Sequence, residues 1–264
     1  MYGRIDAVRL SSRWPKWIYR FTIIFLTFGI IYQGYFLFHA LEKTAQPFYF
    51  PYDSFAYISI DLIISGDDPS IPAEISSTGS GLVVGTTING NAAVLTANHV
   101  CNPPPLLIAI FAENMNKVIS VTDFYGNTYD GKIILTDLKD DLCLLEVEGF
   151  TNQGVPLTRD ELYIGEKVYS VAAPMAFFSP GMVPLLDGYY SGDIFSSNGM
   201  DSVYTVPARE GSSGSSILNS RGEIVGVVHS SLTGFQSVTI CATQTQVIAF
   251  LLNFEYSLGG TLSQ

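Results

Sequence analysis

Three short stretches of the chain hold side chains able to carry nucleophilic chemistry. The first candidate is the run Glu210-Gly211-Ser212-Ser213-Gly214-Ser215-Ser216, with four hydroxyls. A serine hydroxyl attacks a carbonyl only when a neighbouring base takes its proton. A base that titrates near neutrality is needed, which points to histidine. Of the three histidines, His39 lies in an apolar N-terminal run, leaving His99 and His229. The imidazolium formed during attack needs a carboxylate to hold its tautomer and its charge. Asp141 opens the apolar run Leu142-Cys143-Leu144-Leu145, a costly place for an unpaired carboxylate. Asp137 and Asp140 are its rivals. The glycines of Gly211-Ser212-Ser213-Gly214 permit a tight turn that a side chain would hinder. Such a turn can aim the backbone N–H groups of Gly211 and Ser213 at one point. Donors fixed there would stabilise a tetrahedral oxyanion, each worth roughly 3–4 kcal/mol.

These residues need a rigid frame, and the sequence suggests one made of strands. Short apolar runs recur at 56–64, 80–85, 92–97, 106–112, 117–124, 132–137, 142–148, 167–173, 202–208, 223–230 and 237–243. They are rich in Val, Ile, Tyr and Thr, which suit a pleated, half-buried surface. Turn signals such as Asn89-Gly90 and Arg221-Gly222 separate them. About a dozen short strands so spaced read as an all-β barrel or sandwich. The one late helical segment is 245–254, where Val247, Phe250 and Leu251 share a face.

The N-terminus differs from the rest. Residues 1–20 carry Arg4, Arg9, Arg13, Lys16 and Arg20 against Asp6 alone, although the whole chain has a net charge of −11. Phe21–Leu41 follows without an Asp, Glu, Lys or Arg. As a helix it spans about 31 Å, matching a hydrocarbon core of about 30 Å. The basic flank predicts a cytoplasmic N-terminus and an extracytoplasmic remainder. A cleaved signal peptide is the alternative, but its apolar core is shorter, and cleavage after Ala45 would leave Lys43 at the third position back. Residues 42–53, with Pro47 and Pro51, read as a stalk. The acidic balance disfavours nucleic acid as a partner, since phosphate binding needs a basic face. No Cys-x-x-Cys occurs, and neither a metal nor a cofactor is expected. Cys143 sits in an apolar run and reads as a small core residue rather than a bonded thiol.

Taken together, Thr96-Ala97-Asn98-His99, Asp141-Leu142 and Gly211-Ser212-Ser213-Gly214 resemble the chymotrypsin/trypsin-like serine proteases. The short bacterial and viral members and the HtrA-type protease domain are the most similar. The resemblance covers roughly residues 54–258 and implies two six-stranded antiparallel β-barrels with the site between them. It selects Ser213 as nucleophile, His99 as base, Asp141 as orienting acid, and Gly211 and Ser213 as the oxyanion hole. It also implies a substrate pocket that includes Pro207, Ala208, Val228 and His229. An acid is absent from Val206-Pro207-Ala208-Arg209-Glu210, so a preference for Lys or Arg is not implied. His229 could read the substrate, touch Asp141, or be an ordinary strand-edge residue. Cys101 stands two residues after His99 rather than next to it, and no cysteine lies upstream to pair with it as in vertebrate members. A PDZ module is not expected after the terminal helix.

The resulting expectation is a membrane-tethered serine endopeptidase acting on a protein or peptide. Its parts are a cytoplasmic tail (1–20), an anchor (21–41), a stalk (42–53), a first barrel (54–155) and a second barrel with a terminal helix (156–264). The alternative is a catalytically inactive, membrane-tethered binding scaffold of the same fold. An esterase is disfavoured, because its Gly-x-Ser-x-Gly elbow belongs to an α/β sheet.

Overall fold

The computed structural model describes residues 26–34, 50–64, 74–102, 115–152, 154–196, 199–232 and 234–263. The chain divides into two units, Met1–Pro47 and Phe48–Gln264. In the first unit residues 26–34 are helical, with Leu26, Phe28, Ile30, Ile31 and Tyr32 exposed. No helix among the described residues is long and apolar enough to cross a membrane. The basic tail, the two ends of the expected span 21–41 and most of the stalk lie outside the described residues, as does the apolar run 106–112. Phe50, expected in the stalk, is instead buried in the core of the second unit, edge-on to Tyr52.

The second unit contains two barrels. The first is built from β1 (Phe55–Ile64), β2 (Glu74–Thr86), β3 (Ala92–Ala97), β4 (Met115–Asp123), β5 (Thr128–Asp137) and β6 (Leu142–Val147). Their order is β1-β4-β5-β6-β3-β2, and a β1–β2 pairing closes the ring. The second barrel uses β7 (Lys167–Val171), β8 (Leu185–Ser196), β9 (Gly199–Tyr204), β10 (Ser216–Leu218), β11 (Ile224–Ser231) and β12 (Thr239–Thr243), closed in the order β10-β11-β12-β9-β8-β7. All pairings between these strands are antiparallel. The terminal helix Gln244–Leu258 follows, started by a capping box between Thr243 and Gln246 and ended by Gly259 in the left-handed conformation. A last strand, β13 (Thr261–Leu262), returns to pair with Gly85 and Thr86 of β2. This last strand therefore adds to the first barrel's sheet rather than the second's.

β3 and β6 face buried clusters on both sides, which is why they are apolar apart from Thr96 and Glu146. Val94, Cys143, Leu145 and Val147 fill the first barrel, together with Ile58, Ile60 and Val83. Leu95, Leu142 and Leu144, pointing the other way, join Leu82, Val84, Leu218, Ile224, Val227 and the helix residues Val247, Phe250, Leu251 and Phe254. This second cluster joins the two barrels and the terminal helix. A separate cluster around Val168, Tyr204, Ile217, Val225 and Cys241 fills the second barrel. Burial pushes the Cys241 thiol far above its ordinary value, so it is not a competing nucleophile.

The reading of Cys143 as an unbonded core residue is corrected. It is fully buried but forms a disulfide with Cys101. Thr96 sits opposite Cys143 in the β3–β6 ladder, and the short helix Asn98–Cys101 turns the chain back over that position. The Cα atoms come to 6.5 Å across a sequence separation of 42. Chain-entropy reasoning for a loop of that length gives about 4 kcal/mol of stabilisation. The double substitution Cys101→Ser/Cys143→Ser is expected to lower the unfolding free energy by about that amount. Denaturant titration of the oxidised wild type against the variant measures it.

Candidate active site

The β3–β6 ladder brings the first two motifs together. Ala97, the last residue of β3, pairs with Leu142, the first of β6. The next residues on each side are therefore neighbours, and the Asn98 N–H donates to the Asp141 carbonyl at 3.0 Å. Asp141 adopts a left-handed backbone (φ 53°), which Asp tolerates better than most residues. Its carboxylate then faces His99 with both oxygens. Oδ1 accepts the His99 backbone N–H at 2.9 Å, and Oδ2 lies 2.6 Å from His99 Nδ1. The pair is partly open to solvent, with side-chain exposures of 47% for His99 and 24% for Asp141. A carboxylate on Nδ1 favours the tautomer with its proton there, leaving Nε2 free to accept another. The rival acids are engaged elsewhere. Asp140 accepts from Gln246 Nε2 at 2.8 Å, and Asp137 accepts the N–H groups of Lys139 and Asp140.

The serine-rich stretch forms a tight turn between β9 and β10. Ser212, Ser215 and Ser216 are buried, each 1% exposed. Ser212 Oγ accepts the Arg209 N–H, and Ser215 Oγ is 3.1 Å from Ser170 Oγ. Ser213 alone of the four is partly exposed. Gly211 and Gly214 both have positive φ, 87° and 82°. A Cβ on Gly211 would meet the Ala173 carbonyl oxygen, and one on Gly214 would meet the side chain of Thr96 and the Ala97 backbone N. The turn is thus pressed against the segment that leads into His99. The Ser213 hydroxyl makes no hydrogen bond among the described residues. In unliganded sites a nucleophile–base contact is often long and tightens when substrate binds.

The turn's peptide groups can be accounted for one by one. The Ser212 N–H donates to Arg209 O, Gly214 N–H to Val228 O, and Ser215 N–H to Ser212 O. The Glu210 carbonyl accepts from Met175 N, and the Ser213 carbonyl from Ser80 N. Among the described residues, the N–H groups of Gly211 and Ser213 have no acceptor. Two unpaired amides beside a partly exposed hydroxyl make a ready site for an oxyanion.

The expected pocket residues separate into two groups. Pro207 and Ala208 line a cleft of about 290 Å³ with Pro174, Leu186, Arg209, Gln236 and Ser237. Val228 is not in that lining; it is buried and clamps the turn, accepting from Gly214 N and donating to Ser215 O. His229 occupies a bulge between Val228 and Ser230, and its Nε2 lies 3.3 Å from Asp201 Oδ1. Its carboxylate neighbour is therefore Asp201 and not Asp141. The supporting residues Ser80, Met175 and Gln246 were not anticipated. Ser80 had a signal, since it is the one polar side chain within the Gly79-Ser80-Gly81-Leu82-Val83-Val84 run.

Comparison with known proteins places this geometry in context. A probable DegP-like periplasmic serine endoprotease of Ectopseudomonas mendocina (strain ymp) is 29% identical over 162 residues, covering 58% of this chain and 29% of that protein. The structure of the HtrA-type protease AlgW with a decapeptide is similar in fold, with a TM-score of 0.60 at 14% identity. That likeness covers 77% of this chain and 64% of AlgW. The chain thus spans less than a third of the curated relative and less than two thirds of AlgW. Residues 79–227, which hold His99, Asp141, Ser213 and the free amides, match the trypsin-like peptidase domain, and the chain belongs to that family.

Proposed function

We propose that the protein is a serine endopeptidase tethered to a membrane. The observation that carries the reading is the convergence of an oriented His99–Asp141 pair with a turn whose one partly exposed hydroxyl, Ser213, adjoins two unpaired amides. Ser213 Oγ attacks the scissile carbonyl while His99 Nε2 takes its proton. Asp141 stabilises the resulting imidazolium through Nδ1. The N–H groups of Gly211 and Ser213 receive the oxyanion. His99 then protonates the leaving amine, and water releases the acyl group by the reverse sequence. A polypeptide substrate is supported by family membership and by the decapeptide seen with AlgW.

A fluorophosphonate probe tests the reaction. Full-length wild type is expected to be labelled and the Ser213→Ala variant to be unlabelled. Wild type that resists the probe under conditions where it is folded would favour the inactive scaffold, a reading to which the missing Ser213–His99 hydrogen bond gives some weight.

The anchor and its orientation rest on sequence and on the disulfide. The basic flank at 4–20, the apolar run 21–41 and the exposed apolar side chains of 26–34 favour a single span with the N-terminus cytoplasmic. The Cys101–Cys143 bond suits an oxidising compartment on the far side. The expected outcome is that full-length protein stays with membranes after carbonate extraction, whereas a chain of residues 46–264 is soluble. Extraction of both forms alike would overturn the anchor.

A further inference from the structure

We infer that Ser80 is a positioning residue for the oxyanion hole, a reading that rests on the proposed endopeptidase. Ser80 lies on β2, and strand alternation puts it on the same face as Leu82 and Val84, both in the cluster that joins the barrels. Of the polar residues that alternation puts on that face, Ser80 is the one that is fully buried. All four of its hydrogen-bonding capacities are used across or beside the barrel junction. Ser80 Oγ donates to the Gly211 carbonyl at 2.8 Å and accepts the Ala173 N–H at 3.0 Å. The Ser80 N–H donates to the Ser213 carbonyl at 2.8 Å. The Ser80 carbonyl accepts from Thr96 Oγ1 at 2.8 Å, three residues before His99.

The two carbonyls held by Ser80 belong to the same two residues whose N–H groups are free. A peptide group is planar, so fixing these two carbonyls fixes the planes that carry the Ser212 and Gly214 N–H groups, which flank the peptide that carries the Ser213 amide. Holding the Gly211 and Ser213 carbonyls towards the first barrel pins the turn on both sides of Ser212. It limits rotation of the peptide that bears the Ser213 amide. The Gly211 amide is constrained from one side by Ser80 and from the other by Met175 N–H on the Glu210 carbonyl. The Ala173 N–H bond extends this control, because the Ala173 carbonyl is the atom packed against Gly211. Ser80 touches no reacting atom in this arrangement. Its effect is to keep two amides aimed while the turn is under load from substrate. Pre-aimed donors act without reorganisation at the moment of reaction.

The prediction concerns rate and not affinity. Ser80→Ala removes one oxygen and adds no volume. With a fluorophosphonate on the full-length protein, the saturating labelling rate is expected to fall roughly 10- to 100-fold, as a misaimed oxyanion donor would cause. The probe concentration for half-saturation should change less than about two-fold. Ser170→Ala removes another buried hydroxyl, one bonded to Ser215 Oγ and to neither of the two carbonyls, and is expected to label near the wild-type rate. Ser80→Thr keeps the oxygen and should recover most of the rate; melting curves report whether each variant folds. Ser80→Ala labelling at the wild-type rate would overturn the assignment. So would equal losses in Ser80→Ala and Ser170→Ala, or in Ser80→Ala and a folded Ser80→Thr. An unlabelled wild type would instead remove the endopeptidase reading, and Ser80's role with it.

Discussion

Replacing Ser213 by alanine is expected to lower peptide hydrolysis by about 10⁶-fold while leaving the fold intact. By transition-state arithmetic that is about 8 kcal/mol of lost stabilisation. The size follows from the division of labour in the turn. Ser212, Ser215 and Ser216 are buried, and two of them are bonded to other groups, so none can take over the attack. The variant keeps the Gly211 and residue 213 amides, so a residual rate above that of water should survive. Removing His99 as well should add little, because a nucleophile without its base is already disabled. Turnover measured on Ser213→Ala, His99→Ala and the double variant checks both points. A double variant far slower than either single one would mean that the two side chains act independently, contrary to the proposed mechanism.

Asp141→Asn is the second large effect, expected at about 10⁴-fold in kcat with little change in KM. Asparagine suits the left-handed backbone at this position, so the turn before β6 should be kept. Its amide oxygen can still accept the His99 backbone N–H where Oδ1 now does at 2.9 Å. The other half of the side chain then presents an N–H₂ to Nδ1 in place of an oxygen at 2.6 Å. Two donors cannot share that contact, so the imidazole is driven to carry its proton on Nε2. In that tautomer it cannot accept the Ser213 proton. Asp141→Ala would also strain the backbone and would confound the result. Full activity in Asp141→Asn would remove Asp141 from the mechanism and return Asp140 to consideration.

Much of the framework could be read from the sequence, and the failures have physical causes. The proposed base and acid were legible because each stands beside the end of a mostly apolar strand, Ala92–Ala97 and Leu142–Val147. The terminal helix was legible from one apolar face and starts within a residue of its expected position. β8 was not anticipated. Asp187, Gly188, Gly192 and Asp193 interrupt it and most of its residues are exposed, so its pattern resembles a loop. β10 has three residues and is hidden behind the serines of the turn. The choice of Ser213 needed the family register at first; burial now supports it independently. The disulfide and the role of Ser80 were out of reach because both depend on distant segments. One needs the helix that folds Cys101 over β6, and the other needs the second barrel.

The placement of the disulfide has a consequence for how the protein would fail. It joins the residue two beyond His99 to the residue two beyond Asp141, so the covalently closed ring of residues 101–143 contains the proposed acid and starts two residues after the proposed base, within the first barrel. The proposed nucleophile and the free amides sit on the second. The parts of the proposed site are therefore divided across the seam between these halves, where Ser80 spans the gap. The barrels share one buried core, so mild denaturant that loosens this seam should reduce catalysis at or before the loss of native spectra. Enzyme activity would then serve as a gauge of how well the two barrels are docked.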